Sequence, residues 1–127
     1  MNGKKHGFGV QQWPDGSSYR GLWDSNIIHG FGTYRWADGS TYSGQWAYNK
    51  LDGQGHFKWS SGHEFEGSYS LNLRHGEGKY SWPDGSTMTG NWVEGKRDGK
   101  GQVLKDDGNT FEALWIEGKM ISQIKVD

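Results

Sequence analysis

The chain has 127 residues, of which 31% are hydrophobic, 15% aromatic and 23% charged, with a formal net charge of −1. A mean hydropathy of −0.95 is thin for a conventional two-layer core, yet the aromatic content and alternating patterns argue against disorder. Near-neutral charge gives no general pull toward nucleic acid, the absence of cysteine excludes disulfides and thiolate chemistry, and no apolar run reaches membrane-span or signal-peptide character.

Written at a period of 23 residues, all 22 glycines fall into five columns and all eight tryptophans into two. A fixed period of this size marks a repeat array, which offers a long regular surface instead of a central pocket. Residues 1–18 are the back half of a unit, with His6-Gly7-Phe8-Gly9 and Trp13-Pro14-Asp15-Gly16 in register. The array therefore starts in mid-repeat, as expected of a fragment of a longer array or of an N-terminal capping strand. Full units span 19–41, 42–64, 65–87 and 88–110, beginning at Tyr19, Tyr42, Phe65 and Met88. Each reads as a first aromatic segment, an eight-residue connection, a Gly-x-aromatic-x-Trp segment and a three-residue turn. Residues 111–127 form a last partial unit.

Both aromatic segments alternate with period two, the strand signature. Tyr19, Gly21 and Trp23 share one face, as do Gly32, Tyr34 and Trp36. Pro14-Asp15-Gly16, Ala37-Asp38-Gly39, Ser60-Ser61-Gly62, Pro83-Asp84-Gly85 and Asp106-Asp107-Gly108 occupy the same columns. They predict a three-residue hairpin loop closed by a glycine bulge. The column Gly3, Asn26, Asn49, Asn72, Gly95, Gly118 holds the residues that best tolerate left-handed backbone, so positive φ is predicted at all six. With Trp23 opposite Gly32, Gly21 faces Tyr34 and Tyr19 faces Trp36, and each ring covers a glycine or another ring. The predicted fold is all-β: a single-layer, elongated, twisted antiparallel meander of β-hairpins, open-ended, without a helical domain, forming one array over 1–127. One face is aromatic. The other is expected to be polar, carrying Arg20, Thr33, Gln45, Lys58, Glu66, Lys79 and Asn91.

Tyr42-Ser43-Gly44-Gln45-Trp46 followed by Asp52-Gly53-Gln54-Gly55 resembles the membrane occupation and recognition nexus (MORN) repeat. So does Phe65-Glu66-Gly67-Ser68-Tyr69 with Arg74-His75-Gly76-Glu77-Gly78. The resemblance recurs through essentially the whole chain. It implies a twisted β rod with an aromatic-lined groove, and a cytoplasmic scaffold at a cytoskeletal, axonemal or membrane-associated structure. The pattern departs at the C-terminus: Ala113 replaces a strand glycine, Ile121-Ser122 replaces His-Gly, and Ile124 and Val126 replace the following Gly-x-aromatic columns. Residues 111–127 are therefore expected to cap the array with aliphatic strand residues.

No constellation for catalysis, cofactor or metal emerges. Histidines recur at His6, His29 and His75, but equivalent positions stand two strands, or ~9–10 Å, apart. That is too far for one shared ion, and these rings are expected to bond loop backbone. The lone His63, placed near Trp59 by the register, reads as a structural turn residue. The Gly-x-Gly pairs precede strands rather than helices, unlike a phosphate loop.

The functional candidate is the aromatic face, whose contiguous rings a single layer cannot fully bury. Tyr34, Trp36, Phe57, Trp59, Tyr80 and Trp82, with Tyr42, Trp46 and Trp92 beside them, are the candidate groove for a helical or extended protein segment. A purely structural role for the same rings is the competing reading. The connections form a second candidate edge. There Ile27, Ile28, Tyr48, Leu51, Leu71 and Leu73 are apolar where loops are normally polar. Lys4, Lys5, Lys50, Arg74, Lys96, Arg97 and Lys119 accompany them, which suits an acidic partner or acidic phospholipid, though Asp24, Asp52, Glu94, Asp98 and Glu117 weaken the field. Sheet edges near 8–13 and 123–126 offer a third route, a homodimer or self-assembling spacer through strand pairing.

Overall fold

The computed structural model describes residues 5–126. These form one antiparallel sheet of eleven strands in strict sequence order. The strands are β1 (Gly7–Gln12), β2 (Ser18–Asp24), β3 (Ile27–Arg35), β4 (Thr41–Ala47), β5 (Lys50–Lys58), β6 (Glu64–Ser70), β7 (Leu73–Ser81), β8 (Thr87–Val93), β9 (Lys96–Leu104), β10 (Thr110–Ile116) and β11 (Lys119–Val126). The described residues contain no helix, so none is long and apolar enough to cross a membrane. The open meander of hairpins is the predicted architecture.

Two turn types alternate along the rod. At Trp36, the N–H donates to the Ser40 carbonyl at 2.8 Å, and Gly39 N–H donates back to the Trp36 carbonyl at 3.0 Å. Gly39 takes a φ of 94°, giving the expected three-residue loop with a glycine bulge. Asp38 accepts from the Ser40 N–H at 2.8 Å, and Asp15, Asp84 and Asp107 repeat this side-chain turn. The eight-residue connections, by contrast, are not loops. Each contains a two-residue turn flanked by strand: Ser25 and Asn26 have φ of 48° and 72°, and Tyr48 and Asn49 have 49° and 67°. Positive φ at both central residues is the hairpin turn whose twist matches the strands. Positive φ holds at Asn26, Asn49, Asn72, Gly95 and Gly118; Gly3 and Lys4 lie outside the described residues.

The asparagines also tie neighbouring hairpins together. Asn49 N–H donates to the Ile28 carbonyl at 2.9 Å, and its side-chain oxygen accepts from the Ile28 N–H at 2.8 Å. Asn26 and Asn72 make the same pair of bonds to Lys5 and Leu51. Gly95 and Gly118 keep only the backbone bond, to Arg74 and Arg97.

The predicted register is displaced by two residues. Gly21 faces Gly32, and Tyr19 faces Tyr34. The cause is a bulge that leaves Trp23 opposite Ile28, made possible by Gly30 at a φ of 101°. Rings therefore cover glycines diagonally: a methyl on Gly32 would collide with the Tyr19 hydroxyl, and one on Gly55 with that of Tyr42. In the last hairpin Ser122 stands in the column of Gly30, and the bulge contracts. Phe111 pairs with Lys125, a separation of 14 residues against 15 for Tyr19 and Tyr34. A slip of one residue sends every later side chain to the opposite face. Val126 therefore leaves the aromatic column, and Ile121 and Ile124 are 53% and 71% exposed.

Candidate functional site

One face of the sheet carries two rows of rings. The first is a buried floor in which Trp23, Tyr19, Trp46, Tyr42, Tyr69, Phe65 and Trp92 meet edge to face at centroid distances of 4.9–5.8 Å. Such geometry matches the positive edge of one ring to the negative face of the next. Tyr19, Tyr42 and Phe65 are fully buried. The Tyr19 hydroxyl donates to the Leu22 carbonyl at 3.0 Å, and that of Tyr42 to the Gln45 carbonyl at 3.1 Å. Burial pushes both hydroxyls up to about 12, and it raises Tyr69 as well. The indoles of Trp23 and Trp46 donate to the Gly9 and Gly32 carbonyls at 3.3 and 3.1 Å.

The second row is a ladder of seven half-buried rings. It runs Trp13, Tyr34, Trp36, Phe57, Trp59, Tyr80, Trp82, with centroid steps of 4.4–5.6 Å. Unlike Tyr19, Tyr42, Trp23 and Trp46 in the floor, it makes no use of its polar atoms: among the described residues, neither the four indole N–H groups nor the two tyrosine hydroxyls bond to protein, and none is a buried orphan. Two depressions follow the ladder, one lined by Trp13, Tyr34, Trp36 and Asn49, the other by Phe57, Trp59, Leu73 and Arg74.

Of the nine expected groove residues, Tyr34, Trp36, Phe57, Trp59, Tyr80 and Trp82 stand on the ladder, while Tyr42, Trp46 and Trp92 are buried in the floor beneath it. Trp13 was absent from that set, although it shares the column of Trp36. On the connection edge, Ile28 and Leu51 are core residues, 6% and 7% exposed. Ile27 is half-buried. Tyr48, Leu71 and Leu73 are exposed, Tyr48 and Leu71 at positive φ.

Arg97, expected among the solvated charges, is 5% exposed. Its guanidinium lies 4.6 Å from the Trp92 ring centre and 3.9 Å from that of Trp115. Its terminal nitrogens donate to the Asn91 carbonyl at 2.9 Å and the Thr89 carbonyl at 3.1 Å; Nε has no partner. Burial lowers its pKa. The signal was Met88, which interrupts the aromatic column of Tyr19, Tyr42 and Phe65.

His29 and His75 accept from the backbone N–H groups of Tyr48 and Glu94 at 3.3 and 3.2 Å, as expected, whereas His6 pairs with the Asp24 carboxylate at 3.5 Å. On the opposite face Thr33 and Ser43 bond at 2.8 Å, and His56 contacts Glu64 at 2.7 Å. That face is not uniformly polar: Phe8, Val10, Leu22 and Phe31 are exposed at its N-terminal end, with the Arg20 guanidinium 5.9 Å from the Phe8 ring.

No curated relative matches the sequence significantly. Among solved structures, the TCP10 domain of CPAP from Danio rerio is similar at 18% identity and a TM-score of 0.41, over 92% of this chain and 61% of that one. The MORN repeat profile matches at 1–18, 19–41, 42–64, 65–87 and 89–110. Since these matches cover most of the sequence, the chain belongs to the MORN repeat family.

Proposed function

We propose that the array is a non-catalytic scaffold that holds a segment of a partner protein along the ring ladder, at a cytoskeletal, axonemal or membrane-associated structure. One observation carries this reading: seven contiguous rings stay half-buried with their indole and phenol donors unused, while Tyr19, Tyr42, Trp23 and Trp46 in the adjacent floor donate to backbone carbonyls. Rings with a polar handle and a free face are the side chains that dominate protein interfaces. Repeat membership agrees with a scaffold. The test is a pull-down from cell extract with the intact array. Trp59→Ala and Trp82→Ala should each weaken capture at least tenfold, and Lys79→Ala on the opposite face should not. Equal capture by all folded variants overturns the reading.

A second reading concerns the two-residue turns, as a contact for acidic phospholipid. Tyr48 and Leu71 are 71% and 61% exposed at φ of 49° and 47°. Bulky residues are rare in that conformation, and Lys50 and Arg74 lie close by in sequence. Sedimentation with phosphoinositide vesicles at low salt is the check, because screening weakens such binding. Absence of recruitment removes it.

A further inference from the structure

The unit 65–87 departs from its neighbours in two columns of the ring face, and both departures line one spot. Tyr69 stands where the other units place Trp23, Trp46, Trp92 and Trp115, and Arg74 stands where the two preceding units place Ile28 and Leu51. Arg97, one repeat later in the Arg74 column, enters the hole over Gly90 and Gly101 and donates to two carbonyls. Arg74 cannot do the same, because the Phe65 ring already occupies the hole over Gly67 and Gly78. Its guanidinium stays half-buried on the ring face, 5.6 Å from the ring centre of Phe65 and 5.6 Å from that of Tyr80 on the ladder.

This leaves a cation without a partner beside the ladder. Among the described residues the Arg74 guanidinium donates to no acceptor and pairs with no carboxylate, and none of its nitrogens is sealed from solvent. It lines the second depression with Phe57, Trp59, Tyr69, Glu94 and Lys96. The Tyr69 hydroxyl there is also unbonded, unlike the Trp23 and Trp46 indoles of the same column. Of the charged residues lining the depression, two cations, Arg74 and Lys96, stand against one anion, Glu94, leaving one net positive charge. The first depression, nearer the N-terminus and lined by Ile28, Trp36, Trp46 and Leu51, has no charged residue. A guanidinium offers paired donors that match the two oxygens of a carboxylate, and apolar ring walls exclude water and strengthen such a pair. A single carboxylate balances this depression. A phosphate, with a charge of about −1.5 to −2 at neutral pH, exceeds the balance beside Glu94.

We infer that the ladder's occupant is a peptide segment bearing an Asp or Glu side chain, whose carboxylate seats on Arg74 while its apolar neighbours lie along the rings toward Trp36. This rests on the groove reading above and adds the contact that fixes the segment's position along the rod.

The test selects peptides from a phage-displayed library of random linear sequences on the intact chain. Parallel selections use Arg74→Leu, which gives this unit the residue found at Leu51, and Arg74→Glu, which reverses the charge. Thermal unfolding checks that each variant is folded. Peptides from the wild-type chain should be enriched in Asp or Glu beside apolar residues. Those from Arg74→Leu should lose that enrichment, and those from Arg74→Glu should carry Lys or Arg instead. In the tightest wild-type peptide, Gln in place of the acidic residue should weaken binding about tenfold to the wild-type chain and little to Arg74→Leu. Absence of selected peptides, absence of acidic enrichment, or equal enrichment on Arg74→Leu overturns the inference. If peptides without an acidic residue are selected and lose binding to Trp59→Ala, the groove reading stands alone. A phosphoserine peptide more than about tenfold tighter than its Glu parent assigns the site to phosphate and also overturns the inference. So does loss of recruitment to phosphoinositide vesicles by Arg74→Leu with peptide binding unchanged. Selected peptides that bind Trp59→Ala and Trp82→Ala as tightly as wild type bring down the groove reading as well.

Discussion

The unit starting at Tyr42 and the unit starting at Met88 solve the same problem with different side chains. In both, two glycines face each other across the strands, Gly44 with Gly55 and Gly90 with Gly101. The facing glycines leave a hole in the ring face. In the first unit the Tyr42 ring fills it, and the hydroxyl meets the Gln45 carbonyl. In the second, Met88 has no hydroxyl, and the Arg97 guanidinium enters from the neighbouring strand. It sits over Gly90 and Gly101 and meets the Asn91 carbonyl, which occupies the repeat position of Gln45. Position 97 is the column of Ile28 and Leu51, whose apolar side chains suffice where a tyrosine is present. These two units thus share a filled volume and a satisfied carbonyl, not a residue type.

The largest effect should come from breaking the second solution. Arg97→Leu removes two charge-assisted bonds and contacts to two rings, and should cost about 3 kcal/mol. Met88→Tyr added to it recreates the arrangement of Tyr42 and Leu51, and should restore most of the loss. A denaturant-unfolding cycle over the four variants should give a coupling above about 1.5 kcal/mol. Additive changes would mean that Arg97 does not replace the hydroxyl.

Filling the hole covalently is the next test. Gly55→Ala drives a methyl into the Tyr42 hydroxyl and should cost about 2 kcal/mol by overpacking. Gly101→Ala meets the Arg97 guanidinium and the Thr89 carbonyl, and should cost a similar amount. Tolerance of both substitutions in thermal unfolding would show that the facing glycines serve something other than space.

Removing the hydroxyl alone is gentler. Tyr42→Phe makes this unit like that of Phe65, which fills its hole without a hydroxyl, and should cost about 1 kcal/mol. The same hydroxyls set an alkaline limit. Tyr19 and Tyr42 rise from 10 to about 12 in the folded chain. Their contribution is complete below pH 10, where both states are protonated. It is lost as pH climbs toward 12, because only the unfolded state ionises freely. Unfolding midpoints measured across that window should fall less steeply for the Tyr19→Phe, Tyr42→Phe double variant.

These residues also mark where the sequence was legible. Period-two alternation and the Asp-Gly columns fixed strands and three-residue loops, because those signals are local. Column chemistry also separated two tryptophan sets, which became floor and ladder. Register was not local. It depends on a bulge at Gly30, which the alternation of either strand alone does not reveal, and Ser122 shows that one residue there moves the whole following strand. Arg97 was hidden for a related reason. In Gly-Lys-Arg-Asp-Gly it reads as a solvated charge, and only the absent ring at Met88, nine residues earlier and on the facing strand, accounts for its burial.

The smallest predicted effect concerns the turns, where the N-terminal and C-terminal units differ again. Asn49 both adopts positive φ and bridges back to the Ile28 N–H, whereas Gly95 only adopts the φ. Glycine gains conformational entropy on unfolding and offers no side-chain acceptor. Gly95→Asn should therefore stabilise the chain by about 0.5–1 kcal/mol, through a new bond to the Arg74 N–H and a less flexible unfolded state. The reverse change, Asn49→Gly, should cost a similar amount, while Asn49→Ala should cost more, because it loses the bond and strains the backbone. Chemical denaturation resolves differences of this size. If Gly95→Asn leaves the midpoint unchanged, the Asn bridge in the N-terminal units is geometry without stabilising value, and the two halves of the rod are joined equally well with or without it.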